Sequence, residues 1–291
     1  MSVVIPVNGL NIWVETFGKP TDAPLLLIMG GGCHGTMWPD EFCDLLVKKN
    51  FYVIRFDHRD VGLSTIINYN LHPYDLIDMA KDVIGILDYF KIEKANVFAV
   101  SMGGLISQIL AALFPGRVSS LTLMATSSDF SPLIDTVEGK ETKSRLSKPL
   151  NSYVDWLRSI LISPPQTDFE KIQRHLDGWR VLNGNVVAFD EKLYKEMLIT
   201  QLSRTKTVNS FIHHAQAIKA TLAKIPGIHE SIIAKTTIIH GTEDPIFPQD
   251  HGKKLADSIP NANYYLINGM GHNINTNFYN NLIVTIQKMA S

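Results

Sequence analysis

Short β-type segments alternate with helical segments along much of this 291-residue chain, and that alternation is what most constrains its fold. Continuous apolar runs such as Pro24–Met29 and Ala95–Val100 are typical of strands that are buried on both faces. Between these runs, Tyr74–Phe90 carries apolar side chains at the spacing of one buried helix face. The pattern predicts an α/β fold, with a mostly parallel sheet that helices cover on both faces.

Eight strands and five flanking helices follow from these patterns, with Asn8-Gly9 as a hairpin signal between the first two strands. The predicted strands are Val3–Val7, Leu10–Phe17, Pro24–Met29, Tyr52–Phe56, Ala95–Val100, Val118–Ala125, Thr236–His240 and Asn263–Ile267. The predicted helices are Glu41–Lys49, Tyr74–Phe90, Leu105–Phe114, His251–Ser258 and Thr276–Met289.

The alternation stops between Ser127 and Leu222. This stretch has no convincing buried strand, and its helical patterns are separated by breaks such as Ser163-Pro164-Pro165 and Asn183-Gly184-Asn185. We therefore predict a helical cap over residues 127–222, inserted between the sixth and seventh strands. The core then comprises residues 1–126 and 223–291.

The composition, with 45% hydrophobic and 19% charged residues, is that of a soluble globular chain. A formal net charge of −1 gives no basic footprint for nucleic acid or for a membrane surface. The longest apolar run, Pro24–Met29, is far shorter than the ~20 residues of a membrane span. Residues Met1–Pro6 lack the basic stretch of a secretory signal, so we expect a cytoplasmic protein. Cys33 and Cys43 could pair, but reduced thiols are the simpler interpretation there. No metal-ligand spacing occurs, and no cofactor is expected.

A serine lies between a predicted strand and a predicted helix in the run Ala99–Gly104. Ser101 has the small residues Ala99 and Gly103 two positions away on either side, which is the layout of a nucleophile elbow. The turn must be sharp enough to lift the hydroxyl clear of the sheet edge, and larger flanking side chains would collide with the backbone. A buried serine in a turn that is tight only for packing remains the alternative.

A nucleophilic serine needs a histidine to take its proton and an acid to orient that histidine. Asp244 lies in the loop after the seventh predicted strand, and His272 lies in the loop after the eighth. Both loops end at the sheet edge where ligand sites are expected. Glu243 and Asp129 are competitors for the role of acid. Asp244 could also be only a turn former before Pro245.

Acyl transfer also needs backbone N–H donors for the oxyanion. The residue after the nucleophile, Met102, supplies one donor. The glycine-rich loop after the third strand supplies the second, with Gly31 favoured and Gly32 next. Cys33 is a less suitable nucleophile, because the sequence places no pair of a histidine and an acid to activate it. His34 is a candidate for the pocket entrance, without a catalytic role.

The chain resembles the α/β-hydrolases of the esterase and haloperoxidase-like group, and within it the aclacinomycin methylesterase type. The resemblance spans nearly the whole chain, and two features depart from it: Gly32 stands where a larger polar residue is usual, and Ala99 stands where the first elbow glycine is usual. In that family the run from Asp57 to Ser64 is a structural turn behind the site, so Asp57, Arg59 and Asp60 are not read as catalytic. The residues that carry the resemblance are Leu27–Gly31, Trp38–Phe42, Val53–Asp60, Gly62–Thr65, His72–Tyr74, Ser101–Gly103, Asp244–Ile246, His251–Lys253 and Gly269–His272.

Together these features predict an α/β-hydrolase that cleaves a small-molecule carboxylic ester through an acyl-enzyme on Ser101, with a small or methyl ester as the candidate substrate. Two alternatives use the same fold. One is a perhydrolase or haloperoxidase-like enzyme with peroxide as acyl acceptor, and the other is a ligand-binding receptor that turns over slowly. The adjacent His213 and His214 are interpreted as surface or cap residues, because neighbours on a helix point to different sides.

Overall fold

A computed structural model describes residues 1–207 and 209–290, which form an eight-stranded sheet of order β1-β2-β4-β3-β5-β6-β7-β8. Strand β2 pairs antiparallel with β1 and β4, and the five remaining neighbouring pairs are parallel. The predicted α/β fold is thereby confirmed. The strands are β1 Ser2–Val7, β2 Leu10–Phe17, β3 Ala23–Ile28, β4 Phe51–Phe56, β5 Ala95–Val100, β6 Val118–Met124, β7 Lys235–Gly241 and β8 Asn263–Ile267.

Ten α-helices accompany the sheet in the described residues. They are α1 Asp40–Val47, α2 Leu76–Tyr89, α3 Met102–Leu113, α4 Ser131–Val137, α5 Asn151–Ile162, α6 Asp168–Asn183, α7 Glu191–Arg204, α8 Ser210–Leu222, α9 Gln249–Ser258 and α10 Tyr279–Ala290. None of the helices in the described ranges is both long enough and apolar enough to cross a membrane.

The core lies on both faces of the sheet, because successive residues of a strand point to opposite sides. Within β3, Leu26 packs into one apolar cluster together with Ile106 of α3. Its neighbour Leu25 packs into the other cluster, together with Phe42 of α1 and Ile283 of α10. Each fully buried side chain of this size stabilises the fold by ~1.5–3 kcal/mol. This two-sided burial explains why β3 reads as a continuous apolar run.

Helices α4 to α8 lie between β6 and β7, and no strand occurs in the described residues of that interval. Helix α6 begins at a capping box in which Thr167 and Glu170 satisfy each other's backbone N–H groups. It ends before Gly184, whose φ of +75° is easily adopted by glycine. We keep the name cap for residues 127–222. Val208 in the cap and Ser291 in the core range lie outside the described residues.

Helix α3 begins at Met102, three residues before the predicted start at Leu105. The glycines of the elbow suggested a longer loop, but they are needed within the helix for close packing. A Cβ on Gly103 would lie 2.2 Å from the carbonyl oxygen of Ile28. A second difference occurs near the end of the chain, where a 3-10 turn, Thr276–Phe278, precedes α10.

Candidate active site

Ser101 joins β5 to α3 in a backbone conformation that residues other than glycine rarely adopt, with φ of 56° and ψ of −123°. Such backbone strain costs on the order of 1–3 kcal/mol and persists only where neighbouring contacts hold it. Here the Ser101 N–H donates to the Met124 carbonyl at 3.1 Å. The hydroxyl of Thr126 donates to the Ser101 carbonyl at 2.7 Å. This is the strained turn that a nucleophile elbow requires.

Small residues around the elbow are a steric requirement. A Cβ on Gly104 would lie 2.7 Å from the Cβ of Thr126, closer than real Cβ atoms approach. Ala99 is fully buried in β5, where it pairs with Ile28 of β3 and Leu123 of β6. A methyl group therefore fits at the position where the family resemblance implies a glycine.

Asp244 and His272 are in direct contact. The Nδ1 atom of His272 lies 3.0 Å from Oδ1 and 2.9 Å from Oδ2 of Asp244. The backbone N–H groups of Ile246 and Phe247 each donate to Asp244 Oδ1 at 2.9 Å. Burial raises the pKa of Asp244, but the electrostatic influence and hydrogen bond of His272, the nearby His240 and the backbone N–H of Phe247 outweigh it, so the pKa is lowered overall. The acid is thus held as a carboxylate facing the imidazole.

The two competing acids are engaged elsewhere. Glu243 accepts a hydrogen bond from the backbone N–H of Asn185 in the cap, at 3.4 Å. Asp129 accepts from the backbone N–H of Ser131, at the start of α4, at 2.9 Å. Neither carboxylate contacts His272 in the part of the chain that the structure describes. The geometry therefore favours Asp244 as the acid.

Ser101 and His272 follow β5 and β8, and both lie at the carboxyl edge of the sheet. Among the described residues, no hydrogen bond joins the Ser101 hydroxyl to His272. Catalytic hydrogen bonds are often long or poorly aligned before substrate binds, so the absence of this one does not exclude His272 as the base. Within residues 1–207 and 209–290, no group of three or more His, Cys, Asp or Glu side chains is placed to hold a metal ion.

Gly31 and Met102 are adjacent in the structure, as a shared oxyanion site requires. A Cβ on Gly31 would lie 3.5 Å from Met102 Sδ, and one on Gly30 would lie 3.3 Å from Ser101 Cβ. The Gly32 N–H is already engaged, because it donates to Nδ1 of His214 at 2.9 Å. The N–H groups of Gly31 and Met102 have no acceptor within the described ranges. The geometry favours Gly31 over Gly32 as the second donor.

Cys33 and His34, which follow the glycine loop, are poorly suited to chemistry. Desolvation raises the pKa of the free Cys33 thiol to about 12, so it stays protonated and weakly nucleophilic at neutral pH. His34 is buried rather than open at an entrance, and burial lowers its pKa to about 4. Its Nε2 atom lies 3.3 Å from the hydroxyl of Thr205 in the cap.

The turn after β4 holds the loops behind the site, as the family resemblance implies. Asp57 accepts from the backbone N–H of Gly35 at 2.8 Å and pairs with Arg204 of the cap at 2.6 Å. Arg59 pairs with Asp82 of α2 at 2.7 Å. These buried partners give the charged side chains of the turn structural roles.

The two adjacent histidines lie on cap helix α8, but both face the core. His213 Nδ1 lies 3.0 Å from Oδ2 of Asp60, which also accepts from the Tyr74 hydroxyl at 2.7 Å. His214 is buried and contacts the glycine loop. The cap assignment fits these positions, whereas the surface alternative is wrong for His214. Adjacent positions in the sequence could not indicate these partners, which lie 153 residues away for His213 and 182 residues away for His214.

Sequence reasoning missed Asn183, a buried residue at the end of α6. Its Oδ1 atom accepts from Nδ2 of Asn273 at 3.2 Å and from Nδ2 of Asn275 at 2.7 Å. The preceding carbonyl, of Leu182, accepts the backbone N–H of His272 at 2.7 Å. The cap is therefore hydrogen-bonded to the loop that carries the histidine. In the sequence, Asn183 belongs to the break Asn183-Gly184-Asn185 between two helical patterns, so it predicted only a turn and gave no sign of this role.

We predict that Asn183→Ala lowers the free energy of unfolding by ~1–3 kcal/mol, because buried amides of Asn273 and Asn275 lose their shared acceptor. Urea unfolding of both proteins measures the difference. Asn185→Ala is the matched control, since this side chain is exposed and its loss should change stability by no more than ~0.5 kcal/mol. Equal effects of the two substitutions would contradict the role given to Asn183.

The chain matches the family model of the alpha/beta hydrolase fold over residues 23–277. It is 34% identical over 276 residues to rhodomycin D methylesterase DauP of Streptomyces sp. (strain C5), covering 92% of this chain and 91% of that protein. The corresponding methylesterase DnrP of Streptomyces peucetius is 33% identical over the same share of each chain.

Solved structures agree on the fold. The 2-hydroxy-6-oxo-6-phenylhexa-2,4-dienoate hydrolase from Rhodococcus sp. strain RHA1 superposes with a TM-score of 0.77 at 16% identity, covering 99% of this chain and 98% of that one. The chain belongs to the α/β-hydrolase family. The resemblance to the methylesterase type within that family, identified from the sequence, is likewise confirmed.

Proposed function

We propose that the protein is a serine hydrolase that cleaves carboxylic esters. The observation that carries the proposal is the contact of the Asp244 carboxylate with His272, at the same sheet edge as the strained serine Ser101. In this arrangement the carboxylate fixes the proton of His272 on Nδ1. The Nε2 atom is then free to accept a proton from the serine.

In the first half of the reaction, the Ser101 oxygen attacks the ester carbonyl while its proton passes to His272 Nε2. The N–H groups of Gly31 and Met102 hydrogen-bond the resulting oxyanion. The C–O bond to the alcohol then breaks, and His272 returns the proton to the departing alkoxide. In the second half, His272 takes a proton from water while the water oxygen attacks the acyl carbon. The bond between that carbon and the Ser101 oxygen then breaks, and His272 returns the proton to Ser101, which releases the acid.

The substrate we propose is a small-molecule ester, with a methyl ester favoured because the two Streptomyces relatives are methylesterases. The acyl part would lie between the sheet edge and the cap. Cap helices α6 and α8 contact the loops of the site through the Leu182 carbonyl and His214. We infer that residues 127–222 set the choice of ester, because they face the carboxyl edge of the sheet.

A panel of methyl and p-nitrophenyl esters tests this function directly. We expect release of the alcohol at a steady rate, together with accumulation of an acyl-enzyme that mass spectrometry detects on Ser101. Adding hydrogen peroxide separates the alternative perhydrolase activity, which would divert the acyl group to a peracid. Binding of the esters without turnover would instead support a receptor.

A further inference from the structure

His214 is a buried histidine from cap helix α8 that contacts the glycine loop of the site. Its Nδ1 atom accepts the backbone N–H of Gly32 at 2.9 Å. Its Nε2 atom lies 3.0 Å from the carbonyl oxygen of Arg59. The Cβ of His214 is also within 3.8 Å of the position that a Cβ on Gly31 would occupy. Both ring nitrogens are thus used.

These two hydrogen bonds require one state of the ring. An atom that accepts an N–H cannot itself carry a proton, so Nδ1 is bare and the ring proton is on Nε2, which donates to Arg59. Burial lowers the pKa of His214 to about 3, and the neighbouring His58, His213 and Arg59 act in the same direction through their charges. The ring therefore stays neutral at any pH near 7 and keeps its acceptor.

The loop needs such a tether because glycine gives it little rigidity of its own. Gly32 has a φ of +70°, and a Cβ there would lie 3.0 Å from the Cβ of Phe211 on α8. The same helix thus packs against the loop and hydrogen-bonds it. With the Gly32 N–H directed to His214, the neighbouring Gly31 N–H is left for a ligand.

We propose that His214 is a positioning residue for the oxyanion hole: by accepting the Gly32 N–H it holds the loop so that the Gly31 N–H faces the developing oxyanion. The inference rests on the proposed ester hydrolysis. Because the oxyanion exists only beyond the ground state, the loss of this tether affects kcat and leaves substrate binding largely intact.

Two substitutions separate the two hydrogen bonds of the ring. In His214→Asn the side-chain oxygen can occupy the place of Nδ1 and accept the Gly32 N–H. In His214→Gln the amide nitrogen can occupy the place of Nε2 and donate to Arg59, while the acceptor for Gly32 is lost. We expect kcat to fall by ~10–100-fold in the Gln variant, with KM within ~3-fold, and to stay within ~5-fold in the Asn variant.

The adjacent histidine provides a matched control. His213→Gln should leave kcat unchanged, because His213 contacts Asp60 rather than the glycine loop. A trifluoromethyl ketone, whose serine adduct carries an oxyanion, should bind the Gln variant more weakly in proportion to the loss of kcat. Thermal unfolding checks that each variant is folded. Should the Gln variant not fold, His214→Ala replaces it in the comparison with His214→Asn.

Equal losses in the Asn variant and in the variant without the acceptor would overturn the inference, as would a loss confined to KM. Failure of the proposed function has a different signature, since the unsubstituted protein would then hydrolyse none of the esters. Both the proposed ester hydrolysis and the role of His214 are supported if the wild-type enzyme hydrolyses esters, His214→Asn preserves kcat, and His214→Gln or His214→Ala lowers it.

Discussion

Replacing Ser101 with alanine is expected to lower ester hydrolysis by ~10³–10⁶-fold, because the substitution removes the nucleophile. The residual rate comes from substrate binding and from the oxyanion donors, which the substitution leaves in place. Initial rates on the best ester of the panel, measured at high enzyme concentration, check the prediction. Retention of more than about a tenth of the wild-type rate would show that another group attacks the ester.

The strained backbone of Ser101 offers a control for this experiment. Alanine keeps the backbone strain at φ of 56°, because it has a Cβ atom, whereas glycine relieves this strain. Ser101→Gly should therefore be as inactive as Ser101→Ala and more stable by ~1 kcal/mol, measured by urea unfolding. Matching inactivity with this difference in stability would separate the loss of the hydroxyl from any disturbance of the fold.

Asp244→Asn is expected to lower kcat by about 10⁴-fold. The amide can still accept the backbone N–H groups of Ile246 and Phe247 through its oxygen, so the local loop is retained. Its NH₂ group then faces His272 Nδ1 and favours the tautomer with the proton on Nε2. A histidine in that tautomer cannot take the proton of Ser101.

Two isosteric substitutions serve as controls for the acid. Glu243→Gln and Asp129→Asn should each change kcat by less than ~3-fold, because neither side chain contacts His272 in the described structure. Steady-state kinetics on one ester compare all three variants. A larger loss at Glu243 or Asp129 than at Asp244 would transfer the role of acid to that residue.

The sheet, its flanking helices and the order of the candidate site residues along the chain could be predicted from the sequence, because each of these depends on local signals. A buried parallel strand such as β5 is a continuous apolar run, and a tight turn needs small residues beside Ser101. The contacts of His214 and Asn183 have no such local signal. They join side chains to partners 182 and about 90 residues away, and only the packing of the cap on the core determines them. The early start of α3 was missed because Gly103 is required by close packing against β3, and the sequence alone does not show that contact.

The cap contacts the proposed active site at two separate points: the Leu182 carbonyl accepts from the histidine loop, and His214 accepts from the glycine loop. In the proposed enzyme these contacts would couple access to the site with readiness for reaction. We expect that a movement lifting α6 and α8 to admit an ester would release both loops, so the open form would hydrolyse the ester more slowly. Fast hydrolysis would then require the cap to close again over the bound molecule. A cap transplanted from another hydrolase would have to supply two hydrogen-bond acceptors, one for the His272 N–H and one for the Gly32 N–H. Only then could the ester selectivity of that cap be measured.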